Sequence, residues 1–346
     1  MTIGGRAIGD GAPCFVIAEA GVNHNGDPEL AHRLVDAAAD AGADAVKFQV
    51  FRAEAVAAPR APKAVYQQET TGSGGSQLEL LRALELHPET FVELKAHCDE
   101  RGVIFLASAF DSQSVGALAA LDVVAYKVAS GEITNRALLA DVGSRGRPVI
   151  LSTGMASLDE VEGAIAVVAA AGAADVVVLH CTTAYPAPIE EANLRAIVTL
   201  RERLGVPAGY SDHTNGDEAA LAAVALGAAV LEKHFTLNRA LPGPDHRASL
   251  EPGELAALVK RIRAVEAALG DGVKRATASE QANAELVRRS LAAGDDLAAG
   301  SIVTEAMLTS LRPGTGIPPA RLNEVVGRRL RRDVARHELL ELSDLE

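Results

Sequence analysis

The chain has 346 residues, 48% hydrophobic and 23% charged, with a formal net charge of −13. This suits a soluble globular protein with one large domain plus a small one, or two medium ones. The acidic balance disfavours a nucleic-acid or anionic-membrane surface, yet a few lysines in a cleft could still bind a small anion.

No apolar run reaches the roughly 18–20 residues of a membrane span, and the start, MTIGGRAIGDGAP, lacks the pattern of a secretory signal. Cys14, Cys98 and Cys181 are far apart and form no C-x-x-C. That fits a reduced cytoplasm and argues against a disulfide framework or a zinc ribbon.

In chain order, short apolar runs alternate with alanine-rich helical stretches. The strand candidates are FVIAEAG (15–21), DAVKFQVF (44–51), IFLASAF (104–110), VVAYKVAS (123–130), PVILSTG (148–154), VVVLHCT (176–182), PAGYSDH (207–213) and AVLEKHFT (229–236). Most gaps hold a helix-length segment such as 28–42 or 158–172, and several of these end in glycine: Gly42, Gly102, Gly172 and Gly227. Eight strand–helix repeats predict a (β/α)₈ TIM barrel over 1–270, with a doubly wound sheet as the alternative. The absence of G-x-G-x-x-G after the first strand weakens the nucleotide-binding form of that alternative. The segment 52–87 reads as a long loop covering the barrel mouth, the polar stretch 271–285 as a linker, and 286–346 as a small domain of short strands and turns that packs on the barrel or on a second subunit.

Barrel enzymes carry their chemistry at the C-terminal ends of the strands. There the sequence places Glu19, Lys47, Gln49, Ser108, Lys127, Ser130, Glu132, Thr182, Thr183, Ser211, Asp212, His213, Glu232 and His234. Lys47 and Lys127 would be costly in an apolar barrel unless they meet a carboxylate of Glu19, Glu132 or Glu232, or a bound anion cradled with Ser108, Ser130 and Ser211. A Schiff-base lysine is a third reading.

His213 and His234 end consecutive strands. They are either satisfied core residues or two ligands of a divalent ion that keeps positions open for water and substrate. Asp212 and Asp245 are candidates to orient them. PGPDH sets Asp245 and His246 on a proline-stiffened loop over the mouth, or in an ordinary turn.

AEAGVNHNGD (18–27), AVKFQVF (45–51), YKVASGEITN (126–135), LSTGMAS (151–157), LHCTTAYP (179–186), GYSDHTNG (209–216) and EKHFTLNRALPGPDH (232–246) resemble, in order, the motifs of the sialic acid synthases. RRSLAAGDDLAAGSIVTEAMLTSLRPGTG resembles their C-terminal antifreeze-like (β-clip) domain. The resemblance implies condensation of phosphoenolpyruvate with the open-chain aldehyde of an N-acetylated amino sugar, giving a nine-carbon keto acid and phosphate.

It also implies roles. His213 and His234 hold a divalent ion, Mn²⁺ first, with Mg²⁺ or Co²⁺ as alternatives. Lys47, Ser108, Lys127, Ser130 and Ser211 hold phosphoenolpyruvate, beside Thr183 and Tyr185. Gln49, Glu132 and Asp245 contact the sugar or the reacting centre, and Glu19 positions water or moves a proton. Arg312 reaches the sugar's N-acyl group from the partner's small domain in a domain-swapped homodimer.

N-acetylmannosamine, leading to N-acetylneuraminate, is the first expectation for the sugar. A legionaminate or pseudaminate synthase is the alternative, since Thr183 and Arg288-Arg289-Ser290 suit those branches as well. Two competing classes are a Schiff-base aldolase or lyase using Lys127 or Lys47, and a non-enzymatic glycan-binding protein.

Overall fold

The computed structural model describes residues 1–346. The chain divides into two compact units, Met1–Gly270 and Asp271–Glu346. In the first, eight strands close into a barrel: β1 (Phe15–Gly21), β2 (Ala45–Val50), β3 (Ile104–Ala109), β4 (Tyr126–Val128), β5 (Val149–Ser152), β6 (Val176–Cys181), β7 (Ala208–Asp212) and β8 (Val230–His234). All pairings are parallel, and β8 closes the ring on β1 with His234 opposite Glu19.

The strands read as near-continuous apolar runs because both of their faces are buried. Along β1, Val16, Ala18 and Ala20 pack under the helices, while Phe15 and Ile17 join the interior cluster. Side chains alternate, so Glu19 continues the interior row. The same parity places Val230, Glu232 and His234 inside on β8, with Leu231, Lys233 and Phe235 outside.

The lower interior is filled by Ile17, Leu106, Ile150, Val177 and Val230. It is stoppered by a two-stranded hairpin, Thr2–Ile3 with Arg6–Ala7, whose flanking Ile3 and Ile8 join that cluster. The polar residues therefore all lie at the opposite, C-terminal end.

Local signals explain the helices. Pro28–Asp40 starts with proline after Asp27, whose carboxylate accepts from Glu29 N at 2.8 Å. Leu158–Ala171 starts with a Ser157/Glu160 capping box and ends at Gly172 in the left-handed region.

Three expectations change. The run 123–130 forms strand only over Tyr126–Val128, because Ser130–Glu132 winds into a 3₁₀ turn. The long 52–87 segment is built from short helices, Ala53–Val56, Val65–Thr71 and Gln77–Leu84. The stretch read as a linker carries a helix, Ala278–Val287, with no buried residue.

The second unit holds an antiparallel pair, Ser290–Ala293 with Leu308–Leu311, and isolated bridges such as Leu297 to Val334. Leu291, Val303, Ile317, Val325, Leu330 and Leu340 lead its own buried cluster.

Candidate active site

A cavity of about 710 Å³ opens at the C-terminal end of the barrel. Strand parity brings Glu19 from β1, Lys47 and Gln49 from β2, Ser108 from β3, Lys127 from β4, Ser211 from β7 and Glu232 and His234 from β8 to its wall. Ser130, Thr183, Tyr185 and His213 complete it from the segments just beyond β4, β6 and β7.

Both lysines are buried and meet carboxylates. Lys47 Nζ lies 2.7 Å from Glu19 Oε2 and 3.8 Å from Glu232 Oε1, and it donates to Ser108 Oγ at 3.0 Å. Lys127 Nζ lies 3.5 Å from Glu232 Oε1 and donates to Ser152 Oγ at 2.7 Å. Ser211 Oγ donates to Glu232 Oε1 at 3.1 Å. Two cations and two carboxylates thus balance in a water-poor space, where a broken pair would leave an expensive bare charge.

The balance is uneven. Burial pushes the Glu19 carboxyl up to about 7, with Lys47 opposing and Glu232 adding to the rise. Burial also raises Glu232, but Lys127 and Lys47 outweigh it and hold that group below the ordinary carboxylate value. Burial lowers Lys127. On Lys47 burial acts the same way, but Glu19 and Glu232 outweigh it and the ammonium is strengthened.

Three polar atoms in this space are buried without a hydrogen-bond partner: Glu19 Oε2, Glu232 Oε2 and His234 Nδ1. The Glu19–Lys47 contact has the distance of an ion pair without the alignment of a hydrogen bond. Glu232 Oε2 and His234 Nδ1 thus keep bonding capacity that a ligand or water could fill.

The two imidazoles meet edge to face, with ring centroids 5.4 Å apart and planes at 64°. Burial drives His213 down to about 4 and His234 well below its ordinary value, so both are neutral and can offer lone pairs. His213 Nδ1 lies 2.7 Å from the Thr182 carbonyl, which makes Nδ1 the N–H donor and leaves the lone pair on Nε2, 3.4 Å from Ser211 Oγ. No third His, Cys, Asp or Glu joins them. A divalent ion held by the pair would therefore keep several positions for water and substrate, and the donor set fits one.

The sequence reading of Asp212 needs correction. Being next to His213 in a strand, it points to the other face, where its carboxylate meets Lys233 Nζ at 2.8 Å and accepts from Thr214 N and Oγ1, each at 2.8 Å. It orients no imidazole; the Thr182 carbonyl does that for His213.

Glu132 and Asp245 do not line the cavity. The early end of β4 turns Glu132 toward Asn135, whose Nδ2 donates to it at 2.8 Å. Asp245 is buried, its charge raises the Tyr66 and Tyr185 phenols, and burial lifts its own carboxyl to about 6. Arg312 lies in the second unit and is exposed.

Several residues in the wall or bonded to it carry no single-residue signal in the sequence. Ser152, on the inward row of β5, is the tightest partner of Lys127. Tyr66, from the helix Val65–Thr71, packs tilted against Tyr185 with centroids 4.9 Å apart, and Tyr185 packs tilted against His213 at 4.2 Å. Gly154 donates its N–H to Ser130 Oγ at 2.9 Å, and a Cβ there would fall 2.2 Å from Thr183 Oγ1 and 2.8 Å from Cys181 Sγ.

A closed parallel barrel with paired lysines and paired imidazoles at its C-terminal mouth defines a (β/α)₈-barrel enzyme. The chain belongs to the NeuB family, whose model matches residues 34–274, and the SAF domain model matches 288–346. It is therefore a synthase of the sialic acid type, catalysing a condensation.

The chain is 46% identical to the N,N'-diacetyllegionaminic acid synthase of Campylobacter jejuni, over 94% of this chain and 98% of that one. It is 38% identical to the human N-acetylneuraminate-9-phosphate synthase, over 94% and 91%. The crystal structure of the N-acetylneuraminic acid synthetase from Leptospira borgpetersenii superposes with a TM-score of 0.73 at 38% identity, over 82% of this chain and 94% of that one.

Proposed function

We propose that the protein condenses phosphoenolpyruvate with the open-chain aldehyde of a 2,4-diacetamido-6-deoxy sugar, releasing phosphate and a legionaminate-type nine-carbon keto acid. The observation that carries the chemistry is the convergence of two buried lysines and two neutral imidazoles on one cavity. The higher identity to a legionaminic acid synthase than to an N-acetylneuraminate-9-phosphate synthase supports this acceptor over N-acetylmannosamine.

Lys47 and Lys127 exchange part of their carboxylate pairing for the phosphate and carboxylate of phosphoenolpyruvate, with Ser108, Ser130, Ser152 and Ser211 as neutral donors. Thr183 and Tyr185 border that anion. Gln49 and Asp245 serve the sugar, as does Glu132 if its bond to Asn135 opens. Arg312 of a partner subunit would reach the N-acyl group in a domain-swapped homodimer.

His213 and His234 would hold a divalent ion, Mn²⁺ in the first instance, which would supply Lewis-acid polarisation of the aldehyde. The methylene carbon of phosphoenolpyruvate bonds to the aldehyde carbon, whose oxygen takes a proton, and the adjacent carbon bearing the phosphate ester becomes electron-poor. Water adds there while Glu19, which binds a proton near neutrality, accepts one from it. The hemiketal phosphate then breaks its C–O bond to phosphate as its hydroxyl loses a proton, leaving the ketone.

No helix is long and apolar enough to cross a membrane. The step belongs in the cytoplasm on this reading, because that is where phosphoenolpyruvate is made. The test is phosphate release from phosphoenolpyruvate by metal-stripped enzyme, with and without Mn²⁺, against a panel of N-acetylated sugars. Metal-dependent turnover best with the 2,4-diacetamido-6-deoxy sugar supports the reading. Preference for N-acetylmannosamine makes the protein a neuraminate synthase. Chelator-resistant activity with borohydride trapping of pyruvate on Lys127 or Lys47 replaces the mechanism by a Schiff base.

A further inference from the structure

The stretches VNHNG and PGPDHRAS contribute no residue to the cavity wall, yet they meet in a buried polar network. His246 has no exposed surface. Its Nε2 lies 3.0 Å from Asn25 Oδ1 and its Nδ1 lies 2.6 Å from Thr236 Oγ1. An amide oxygen can only accept, so Nε2 carries the proton and Nδ1 accepts from the threonine hydroxyl. Burial lowers this imidazole to about 4, consistent with that single neutral tautomer.

A second strand of the network runs in parallel. Asn23 Nδ2 donates to the Phe235 carbonyl at 2.8 Å and to Ser249 Oγ at 2.9 Å, and Ser249 Oγ donates to the Asp245 carbonyl at 2.7 Å. The loop after β1 thus grips the loop after β8 on both sides of Asp245. Gly243 permits the approach: its φ is +146°, and a Cβ would stand 2.6 Å from Asn25 Oδ1 and 2.7 Å from the His246 ring. Asp245 itself has no side-chain hydrogen bond, so its placement comes from its backbone and neighbours.

We infer that Asn23, Asn25, Thr236, His246 and Ser249 are positioning residues that fix the backbone on both sides of Asp245, so that its carboxylate is held ready for the acceptor sugar. This rests on the proposed role of Asp245 toward the sugar. A locked carboxylate contributes chiefly to sugar binding and orientation, and little to the anion held by the lysines.

The test compares the parent with His246→Ala, His246→Gln and Asn25→Ala. Steady-state constants for both substrates are measured with hydrogen exchange of the 238–252 amides. His246→Ala and Asn25→Ala should raise KM for the sugar about tenfold or more, with KM for phosphoenolpyruvate nearly unchanged. The 238–252 amides should exchange faster while those of the barrel strands do not. His246→Gln, which can keep the bond to Asn25, should recover part of the loss. Adding His246→Ala to Asp245→Ala should cost little more than Asp245→Ala alone.

Unchanged sugar KM in a folded variant, equal effects on both substrates, or full additivity with Asp245→Ala would each overturn the inference. If His246→Ala does not fold, Asn25→Ala and Thr236→Val carry the same comparison. An inactive parent would sink the proposed function and the sugar-side role of the lock with it, while the exchange arm would still show whether the two loops are clamped.

Discussion

Glu19 and Lys47 stand opposite each other in the β1–β2 register, and their charged atoms meet at 2.7 Å inside the barrel. Both are buried, yet Glu19 remains a weak acid near 7 because burial outweighs its partner. A carboxylate that is paired and still easily protonated can exchange protons at the pH where the cell works.

The first prediction concerns that proton. The raised Glu19 binds a proton in the folded chain that the unfolded chain has already lost, so stability falls as pH rises from the ordinary carboxylate value through about 7. Activity should rise over the upper part of the same window, because the base form is needed. Glu19→Gln should abolish that ascending limb, flatten the loss of stability and lower kcat by roughly 10²-fold or more. Rate and thermal melts against pH check it; an unaltered rate profile in the variant would rule out Glu19 as the base.

Lys47→Met should destabilise the fold by about 3–5 kcal/mol, because it leaves buried carboxylates uncompensated. Adding Glu19→Gln should recover much of the melting temperature without recovering activity. A double variant regaining turnover would mean that the lysine serves the fold and not the substrate.

Mn²⁺ added to stripped protein should raise its melting temperature, by about 2.7 kcal/mol in stability at a hundredfold excess over Kd. His213→Asn or His234→Asn should remove the shift while leaving the metal-free melting temperature close to the parent. A shift surviving in both variants would place the ion elsewhere.

Gly154→Ala should weaken phosphoenolpyruvate binding about tenfold or more, because its methyl would fall 2.2 Å from Thr183 Oγ1 and press on Ser130 and Cys181. Isothermal titration without sugar reads it directly, and unchanged affinity would put the anion away from this wall.

Asp212→Asn should lower stability by about 3 kcal/mol through the stranded Lys233, with both KM values unchanged. A selective change in metal or sugar binding would restore the role that its sequence position suggested.

The barrel is legible because eight apolar runs alternate with helical segments, and the site because polar residues interrupt those runs at their C-terminal ends. Lys47, Lys127, His213 and His234 stand out in this way. Asp212 breaks the pattern, since neighbours along a strand face opposite ways and adjacency to His213 says nothing of direction. Glu132 departs from its expected place for a related reason: β4 stops at Val128, and the 3₁₀ turn over Ser130–Glu132 rotates the glutamate away. Ser152 resembles any strand-end serine until a lysine is seen to need it. Tyr66 sits in a segment without periodicity, so only the folded chain shows its ring against Tyr185.

The hairpin carrying Ile3 closes the far end of the barrel, which leaves a single doorway for all traffic. On the proposed function, an anion seated against the lysines would enter before the acceptor, and it could not depart until the way out is clear. Such a blind alley works last-in, first-out, so steady-state kinetics should be strictly ordered, with the deeper anion leading.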